Sequence, residues 1–596
     1  MSLRAQRLAT IGAAAAFALP LAAALARYGP DPSADVRRGG ETAFAHGLER
    51  REMVPGRGPQ RWTSPLVRFV FRDLPPGPAR LDLRLRGQRT PVLVAVDGVN
   101  AGVVEPGRTS LVAPLRSSGG GDHVVELRSD GFDAGDGRRL GALLDSATLH
   151  PARRGGPSPR LALLFAVPAA LMAAAALGAG LPATAALATA AEASLAQALL
   201  LWPQGLARSS YATLLAGLVA AGAAGALGFA RWRERRMPGA GPWAFAAFVT
   251  AFLVQVMAGT SPLMVVSDEV FHANNLARVA GGEWFLTSLT QHARPFRFPY
   301  GVSFYVLLVP LLRLGVDAVI LVRTGAAAAG LAASLGLFGL LAPGGAARAG
   351  LAVLLLQLLP WTFDPYSFGN LSNVFGQSLT TLFFCWWAGK TPGGWPAGAA
   401  LLALGCLGHF SSLMVLGVLA GALLVARGGE GPGRTRLAAL GVGLGLAGLY
   451  YLRFVPLVLS QLPRLAEGGG QGRGASRGPV DALKLLVLGV LGRWGAPALV
   501  LAALGRPRPG RSALDRDLAA YWAAGAVLAV PAIFSPLDVR FLYALTVPLA
   551  AAGGAGLVLL RGRGRAGALA AWLLLALQAA LGLRSLVEAV AVRYRP

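Results

Sequence analysis

The stretch FAAFVTAFLVQVMAGTSPLMVVSDEVFHANN (Phe245–Asn275) decides the fold, because a long apolar run ends abruptly in a cluster of polar side chains. The apolar part is long enough to cross a bilayer as a helix, for which roughly 20 residues suffice. The polar part sets two adjacent acids, Asp268 and Glu269, beside His272. This pattern predicts a membrane protein with a polar site where a span meets water.

The composition of the whole chain supports a polytopic membrane protein. Of its 596 residues 54% are hydrophobic and only 14% are charged, whereas soluble domains carry about 25% charged residues. The net charge of +26 comes almost wholly from arginine, since Lys390 and Lys484 are the only lysines. The arginines cluster in short turns between apolar runs, as the positive-inside rule requires, so the charge does not indicate a nucleic-acid partner.

Four regions follow from changes in composition along the chain. Residues 1–27 are predicted to be a membrane anchor, with a cleaved signal peptide as the alternative. Residues 28–158 are polar and alternate with period two, as in ARLDLRLRG and VLVAVDG, which predicts a small all-β sandwich of jelly-roll type. Residues 159–240 are predicted to be accessory transmembrane helices, and residues 241–596 a helical membrane core.

Apolar runs beyond the β-region predict most of the membrane spans. With the anchor they number about fifteen. The predicted spans are 161–181, 184–202, 210–230, 242–263, 318–342, 349–363, 374–390, 396–409, 411–427, 437–458, 482–504, 518–535, 541–560 and 566–584. The run VSFYVLLVPLLRL (Val302–Leu314) is too short to cross and is predicted to be an interfacial helix.

The basic turns set the predicted orientation of these spans. RWRERR (Arg231–Arg236) and RGRGR (Arg561–Arg565) are expected on the cytoplasmic side. The β-region and a long loop over residues 264–317 then lie on the opposite, extracytoplasmic face. The preference for arginine over lysine, together with abundant Ala and Gly, is typical of a GC-rich bacterial genome, so the expected location is a bacterial inner membrane.

The predicted outer loops carry the candidate site residues, and each has a structural alternative. Asp268 and Glu269 suit a general base or cation ligand, or else cap the helix that follows them. His272 shares their helix face as a ligand or as a buried interfacial side chain. Further candidates are Arg294 and Arg297 for phosphate or lipid headgroups, Asp364 as a second acid or turn former, His409 in a tight turn, and Arg540 for an anion or for pairing with a neighbouring acid.

The order of these features resembles the GT-C superfamily of membrane glycosyltransferases, which includes protein O-mannosyltransferases and aminoarabinose transferases. One span, a loop opening with DE, and then FPYGVSFYVLLVPLLRLGVDAVILVR carry the resemblance. Asp268 and Glu269 match the family's acidic pair, and Asp364 matches an acid of the second outer loop. Pro299, Tyr300 and Tyr305 match its Pro-aromatic segment, and Arg323 matches its helix-opening arginine. The resemblance covers about Gly241–Leu560, and FPYG stands where the family usually has PPxY.

The resemblance implies sugar transfer from a polyprenyl-phosphate donor to an acceptor hydroxyl, with inversion and with Asp268 as base. It implies Asp268, Glu269 and Asp364 as catalytic residues. The substrate-binding set would be His272, Arg294, Arg297, Tyr300, His409 and Arg540. The partners would be a lipid-linked sugar, a glycan, lipid or protein acceptor, and membrane lipids. A divalent cation held by Asp268, Glu269 and His272 remains an open alternative.

Two other classes of function remain open on the sequence. A transporter or flippase would carry polar residues in mid-membrane and paired repeats, but no repeat is visible and the polar clusters lie at the predicted outer ends. A non-catalytic cell-envelope assembly protein would do its binding through the β-region. Replacement of Asp268 separates these hypotheses, because only the enzyme loses turnover.

Overall fold

The computed structural model describes residues 2–54, 58–118, 121–135, 138–264, 268–289, 297–362, 366, 369–428, 433–468, 480, 495–510, 512–534 and 543–589. Two compact units account for the chain. One comprises Met1–Arg235 with Ser261–Val265, and the other comprises Arg236–Thr260 with Val266–Ala589. The first holds the β-region with four helices, and the second is almost entirely helical.

The β-region of the first unit is built mainly from one nine-stranded antiparallel sheet. The strands are β1 (Ser33–Asp35), β2 (Ala45–Val54), β3 (Gly58–Leu74), β4 (Gly77–Arg86), β5 (Val92–Val96), β6 (Val99–Val104), β7 (Ser110–Ser118), β8 (Gly121–Arg128), β9 (Phe132–Asp133), β10 (Arg139–Leu140) and β11 (Leu143–Pro151). The order in the large sheet is β6-β5-β8-β3-β11-β4-β7, with β1 on β11 and β2 on β3, while β9 and β10 form a separate ribbon.

The predicted antiparallel β-structure is confirmed, and most of its strands form one nearly closed sheet. Strand β3 is 17 residues long and pairs along its length with β2, β8 and β11. Strand β3 therefore links its neighbours into a single, nearly closed sheet. The predicted alternation holds on β4, where Leu81, Leu83 and Leu85 are buried between more exposed neighbours.

Four helices complete the first unit: α1 (Leu3–Tyr28), α2 (Pro159–Gly178), α3 (Ala183–Leu201) and α4 (Ser210–Arg236). Helix α1 packs against α2 and α3 and buries a stripe of small residues, Ala14, Ala18 and Ala22. Arg208 ties helices to sheet, because its guanidinium donates to the carbonyls of Ala26 in α1 and Asp73 in β3.

The second unit contains the remaining described helices. They are α5 (Gly241–Ala251), α6 (Ala258–Thr260), α7 (Glu269–Ala280), α8 (Ser303–Arg313), α9 (Ala318–Leu341), α10 (Ala346–Leu358), α11 (Leu371–Ala388), α12 (Gly394–Cys406), α13 (Phe410–Ala426), α14 (Gly433–Leu452), α15 (Val455–Gly468), α16 (Ala496–Leu504), α17 (Ala513–Phe534), α18 (Thr546–Arg561) and α19 (Gly564–Val587). A small hairpin joins β12 (Thr287–Leu289) to β13 (Arg297–Pro299).

A membrane-type helical fold is confirmed, whereas the count of about fifteen spans is not. In the described part of the chain eight helices are long and apolar enough to cross a bilayer: Leu3–Tyr28, Pro159–Gly178, Ala183–Leu201, Ser210–Arg236, Ala318–Gly344, Gly433–Leu452, Tyr543–Arg561 and Gly564–Val587. Five further apolar helices are shorter, including α10, α12 and α13. They have 10–17 residues, at or below the lower end of the range of about 17–25 residues that a crossing helix usually has.

The predicted interfacial segment is a short amphipathic helix, α8. It buries Phe304, Tyr305 and Leu308 and leaves Leu307 and Leu311 exposed. Eleven residues of helix extend only about 16 Å at 1.5 Å per residue. The buried aromatic face of α8 therefore packs against the polar residues that follow α6.

Candidate active site

Asp268 stands directly before the first residue of α7. It occupies the N-cap position, yet its side chain makes no capping hydrogen bond to the helix. Its side chain is partly exposed. Asp268 therefore does not cap α7 through a side-chain hydrogen bond. A carboxylate at this position is still favoured by the positive end of the helix dipole.

Glu269 is held by an arginine of the following long helix. Its Oε2 lies 3.5 Å from Nη1 of Arg323 in α9, and both side chains are largely buried. Arg323 is fixed in turn, because its Nε donates to the Gly259 carbonyl at 3.2 Å. A cation beside Glu269 favours the ionised carboxylate. The two adjacent acids therefore have different neighbours, since Glu269 forms an ion pair with Arg323 and Asp268 packs against Gly369.

Gly369 brings the second predicted outer loop onto Asp268. Its φ is +74°, and a Cβ built on it would lie 2.5 Å from the Asp268 nitrogen and 2.8 Å from the Asp268 Cβ. Such distances leave no room for any side chain. Only glycine combines this backbone conformation with this approach, so the two loops meet at a point where backbone touches backbone.

The buried side chain of His272 holds the same two loops together. Its ring is 1% exposed, with Nε2 2.7 Å from the Gly369 carbonyl and Nδ1 2.7 Å from the Tyr305 hydroxyl. Since a carbonyl can only accept, Nε2 carries the proton and Nδ1 accepts from Tyr305. Burial lowers the pKa of His272 to about 4, against an opposing effect of the Gly369 hydrogen bond. His272 is therefore neutral at pH 7 and positions the loops, and both its nitrogens are already engaged.

Tyr300 and His409 lie together in a buried cluster beneath the loops. Their rings meet edge to face at 5.6 Å, and the Tyr300 hydroxyl lies 2.9 Å from Oγ of Ser372. His409 caps α13 by accepting from the Ser411 nitrogen at 3.1 Å. Both side chains are less than 8% exposed. This geometry favours a structural role for His409 over a role in substrate binding.

Glycine also lets the FPYG segment lie against the tight turn before α13. A Cβ on Gly301 would lie 2.4 Å from the Leu407 carbonyl oxygen and 2.5 Å from that of Gly408. Ser303 strengthens the contact, donating from its nitrogen to Leu407 and from its hydroxyl to the Leu404 carbonyl. The start of α8 is thereby fixed, and with it Tyr305.

Arg297 lies at the edge of this arrangement with an exposed side chain. Its backbone is fixed by a reciprocal pair of hydrogen bonds with Gln461 of α15, both 2.7 Å long. This arginine is therefore available to an anionic group. The predicted residues Arg294, Asp364 and Arg540 lie outside the described residues.

A buried polar chain supports the second loop from below. The Tyr366 hydroxyl donates to Oε1 of Gln255 at 2.9 Å, and Gln255 donates to Gln357, which donates to Ser334. Gln255 lies in a π-helical turn, Phe252–Met257, that follows α5. Such turns often occur at functional sites because they re-aim side chains.

The candidate metal ligands do not assemble into a metal site. Within the described ranges no three His, Cys, Asp or Glu side chains are grouped closely enough to hold a metal ion. His272 already binds Tyr305 and Gly369, and Glu269 pairs with Arg323. The residues present therefore do not fit the divalent cation considered from the sequence.

Comparison with known proteins gives no family for this chain. No protein-family model matches it, and no curated protein sequence is significantly similar to it. The residues that hold the site together and that sequence reasoning left out of the candidate set are Gly369, Gly301, Tyr305 and Arg323. Tyr305 and Arg323 carried a signal in the family resemblance, whereas the two glycines carried none.

Proposed function

We propose that this chain is a bacterial inner-membrane glycosyltransferase that acts on the extracytoplasmic face. It moves a sugar from a polyprenyl-phosphate carrier to a hydroxyl group of a glycan, lipid or protein. The observation that supports the proposal is that two adjacent acids with different neighbours lie where two loops meet. Asp268 is partly exposed beside Gly369, and its neighbour Glu269 is held by Arg323.

The difference between the two carboxylates assigns the base. A general base must reach the acceptor hydroxyl from a cleft edge. Glu269 is largely buried against Arg323, so its role is to place Asp268 and to tie α7 to α9. Asp268 borders the surface at the point where two loops converge, and it is the residue assigned to receive the proton.

The transfer is a direct displacement. The acceptor oxygen bonds to the anomeric carbon as its proton passes to Asp268, and the bond from that carbon to the phosphate oxygen breaks. Polyprenyl phosphate leaves with the electron pair, so the configuration at the anomeric carbon inverts. The exposed guanidinium of Arg297 suits the charge that develops on the phosphate.

Mass spectrometry of surface glycans and glycolipids tests the proposal in a deletion strain. We expect one sugar modification to disappear on deletion, to return with the wild-type gene and to stay absent with Asp268→Asn. Glu283→Gln is the matched control, because Glu283 is an exposed acid of the same loop that pairs with Arg278. It should restore the modification.

An unchanged glycan profile in the deletion strain would remove the enzyme hypothesis. A transporter or an assembly protein would instead give a profile that Asp268→Asn restores as well as the wild type does. Protein level in the membrane, measured for every variant, separates loss of activity from loss of the protein.

A further inference from the structure

A row of polar side chains crosses the outward face of the large β-sheet in register. His46 of β2 lies opposite Arg68 of β3, Arg68 lies opposite Glu126 of β8, and Glu126 lies opposite Ala95 of β5. Neighbouring side chains on one face of a sheet are only about 5 Å apart. The row ends on alanine, whose small side chain leaves space above β5.

This row is part of an open groove of about 670 Å³. Val70 and Val124 give it apolar surface, and the turn Asp97–Gly98 between β5 and β6 forms one side. Arg128 lies at the other end of the lining. Binding sites for small ligands commonly have volumes of about 300–1,000 Å³, so the groove is large enough for a small ligand.

The charged groups of the groove are organised around one carboxylate. Arg68 Nε donates to one oxygen of Glu126 and Arg128 Nη2 to the other, each at 2.7 Å. The hydrogen bond from Arg128, followed by the contact with Arg68, lowers the pKa of Glu126. Both arginine side chains are more than half exposed, and each guanidinium has further N–H donors besides the one that binds Glu126.

A second carboxylate, that of Asp97, offsets the charge of the second arginine in the groove. Asp97 accepts from the Val124 nitrogen at 2.8 Å and lies 2.7 Å from Nδ1 of His123. This fixes its orientation while its side chain stays 40% exposed. Two arginines therefore face two carboxylates, and the groove carries little net charge. An anionic lipid or a nucleic acid would find no excess of positive charge here.

We propose that this groove binds a neutral glycan. Donors and acceptors held by hydrogen bonds suit the hydroxyl groups of a sugar, and the two valines suit the C–H face of its ring. The inference concerns the β-region alone and does not rest on the proposed transferase activity. Should that activity hold, the groove would retain a glycan acceptor chain.

Binding by the purified full-length chain in nanodiscs tests this inference. The probes are an array of neutral oligosaccharides of hexoses and N-acetylhexosamines, sulfated oligosaccharides, and vesicles of anionic lipid. We expect the wild type to bind at least one neutral oligosaccharide. Arg68→Ala and Glu126→Gln should each weaken that binding about tenfold, since each removes a charged hydrogen-bonding group.

Arg80→Ala is the matched control. Arg80 is an exposed arginine of the same sheet, paired with Asp82 across 2.9 Å, and it lies outside the groove lining. It should leave the affinity within about twofold, well short of the tenfold that one lost charged hydrogen bond gives. Arg128→Ala gives an independent check, because a side chain that is 60% exposed is removed without disturbing the core.

Glu126→Gln also separates a neutral ligand from an anionic one. The change leaves the groove net positive, so it weakens a neutral glycan and strengthens an anion. Failure of the wild type to bind any neutral oligosaccharide would overturn the inference. So would equal binding of the neutral oligosaccharide by all variants, or tighter binding by the wild type of sulfated oligosaccharides or anionic lipid vesicles than of any neutral oligosaccharide.

Discussion

Replacement of Gly369 tests whether the close contact between the two loops is needed for activity. Its φ of +74° and the 2.5 Å approach to the Asp268 nitrogen predict that Gly369→Ala forces the two loops apart. We expect a loss of sugar transfer of at least about tenfold, with a stability cost of about 1–3 kcal/mol. Activity in isolated membranes and thermal unfolding in detergent measure the two effects.

Gly282→Ala is the control for that change. Gly282 has a φ of +95° with open space where a Cβ would stand, so it introduces the same kind of backbone strain without a clash. It should lose stability and keep its activity. Equal activity loss in both variants would show that strain, and not contact with Asp268, accounts for the effect.

His272 predicts a pH dependence of stability. Its pKa falls from 6.5 to about 4 on folding because of burial, so near pH 5 the unfolded chain binds a proton that the folded chain does not. Its contribution is complete above pH 6.5 and is lost as the pH falls through about 4. At about 1.4 kcal/mol per unit, the upper limit is roughly 3 kcal/mol.

His272→Gln tests this assignment, because an amide supplies a donor and an acceptor but does not titrate. The melting temperature of the variant should fall less than that of the wild type between pH 7.5 and pH 4.5. Parallel curves would contradict a buried neutral histidine.

At this scale the sequence predicted the residues that stand at the end of an apolar run. Asp268 and Glu269 were identifiable because adjacent acids at the end of a long apolar run often have a role. Gly369 was not, because a loop glycine has no periodicity and its contact depends on a segment about 100 positions away. Tyr300 and His409 were expected to bind substrate, yet both are buried in side-chain contacts.

The ion pair between Glu269 and Arg323 joins two elements, α7 and α9. Both side chains are under 20% exposed, so removal of one partner leaves a poorly solvated charge. Arg323→Ala should therefore cost about 3–5 kcal/mol. A double-mutant cycle with Glu269→Gln, followed by unfolding in detergent, should show coupling greater than about 1 kcal/mol.

The exposed pair of Arg278 and Glu283 is the control for that cycle. Its side chains are 42% and 51% exposed, and such pairs contribute about 1 kcal/mol or less. Similar coupling in the two cycles would contradict a structural role for Arg323.

The sequence predicted which helices and strands exist better than it predicted where they end or how the strands join into one sheet. The run 437–458 was expected as one span, but α14 ends at Leu452 and α15 begins at Val455. The run 242–263 contains the π-helical turn at Phe252–Met257, which apolar periodicity does not reveal. The strands were visible from alternation, whereas their union in one sheet depends on the length of β3.

For the whole molecule, the basic turns predict which face of the membrane each region occupies. In a variant with Cys385 and Cys406 replaced by alanine, Val99→Cys in the β-region should react with an impermeant maleimide on spheroplasts. Val99 is 71% exposed. Arg563→Cys, in the predicted cytoplasmic turn, should react only after lysis.

Labelling of both positions before lysis, or of Arg563→Cys alone, would contradict the predicted orientation. The β-region would then lie on the cytoplasmic side, where a polyprenyl-phosphate donor used outside could not be reached.

The central claim is that Asp268 takes a proton during sugar transfer, and release of polyprenyl phosphate tests it most directly. The purified chain in nanodiscs would receive polyprenyl-phosphate hexoses and a mixture of cell-envelope acceptors. We predict release by the wild type and by Glu283→Gln, and a rate about 10²–10⁴ times lower for Asp268→Asn at unchanged melting temperature. Release by Asp268→Asn within a few-fold of the wild-type rate would contradict the claim.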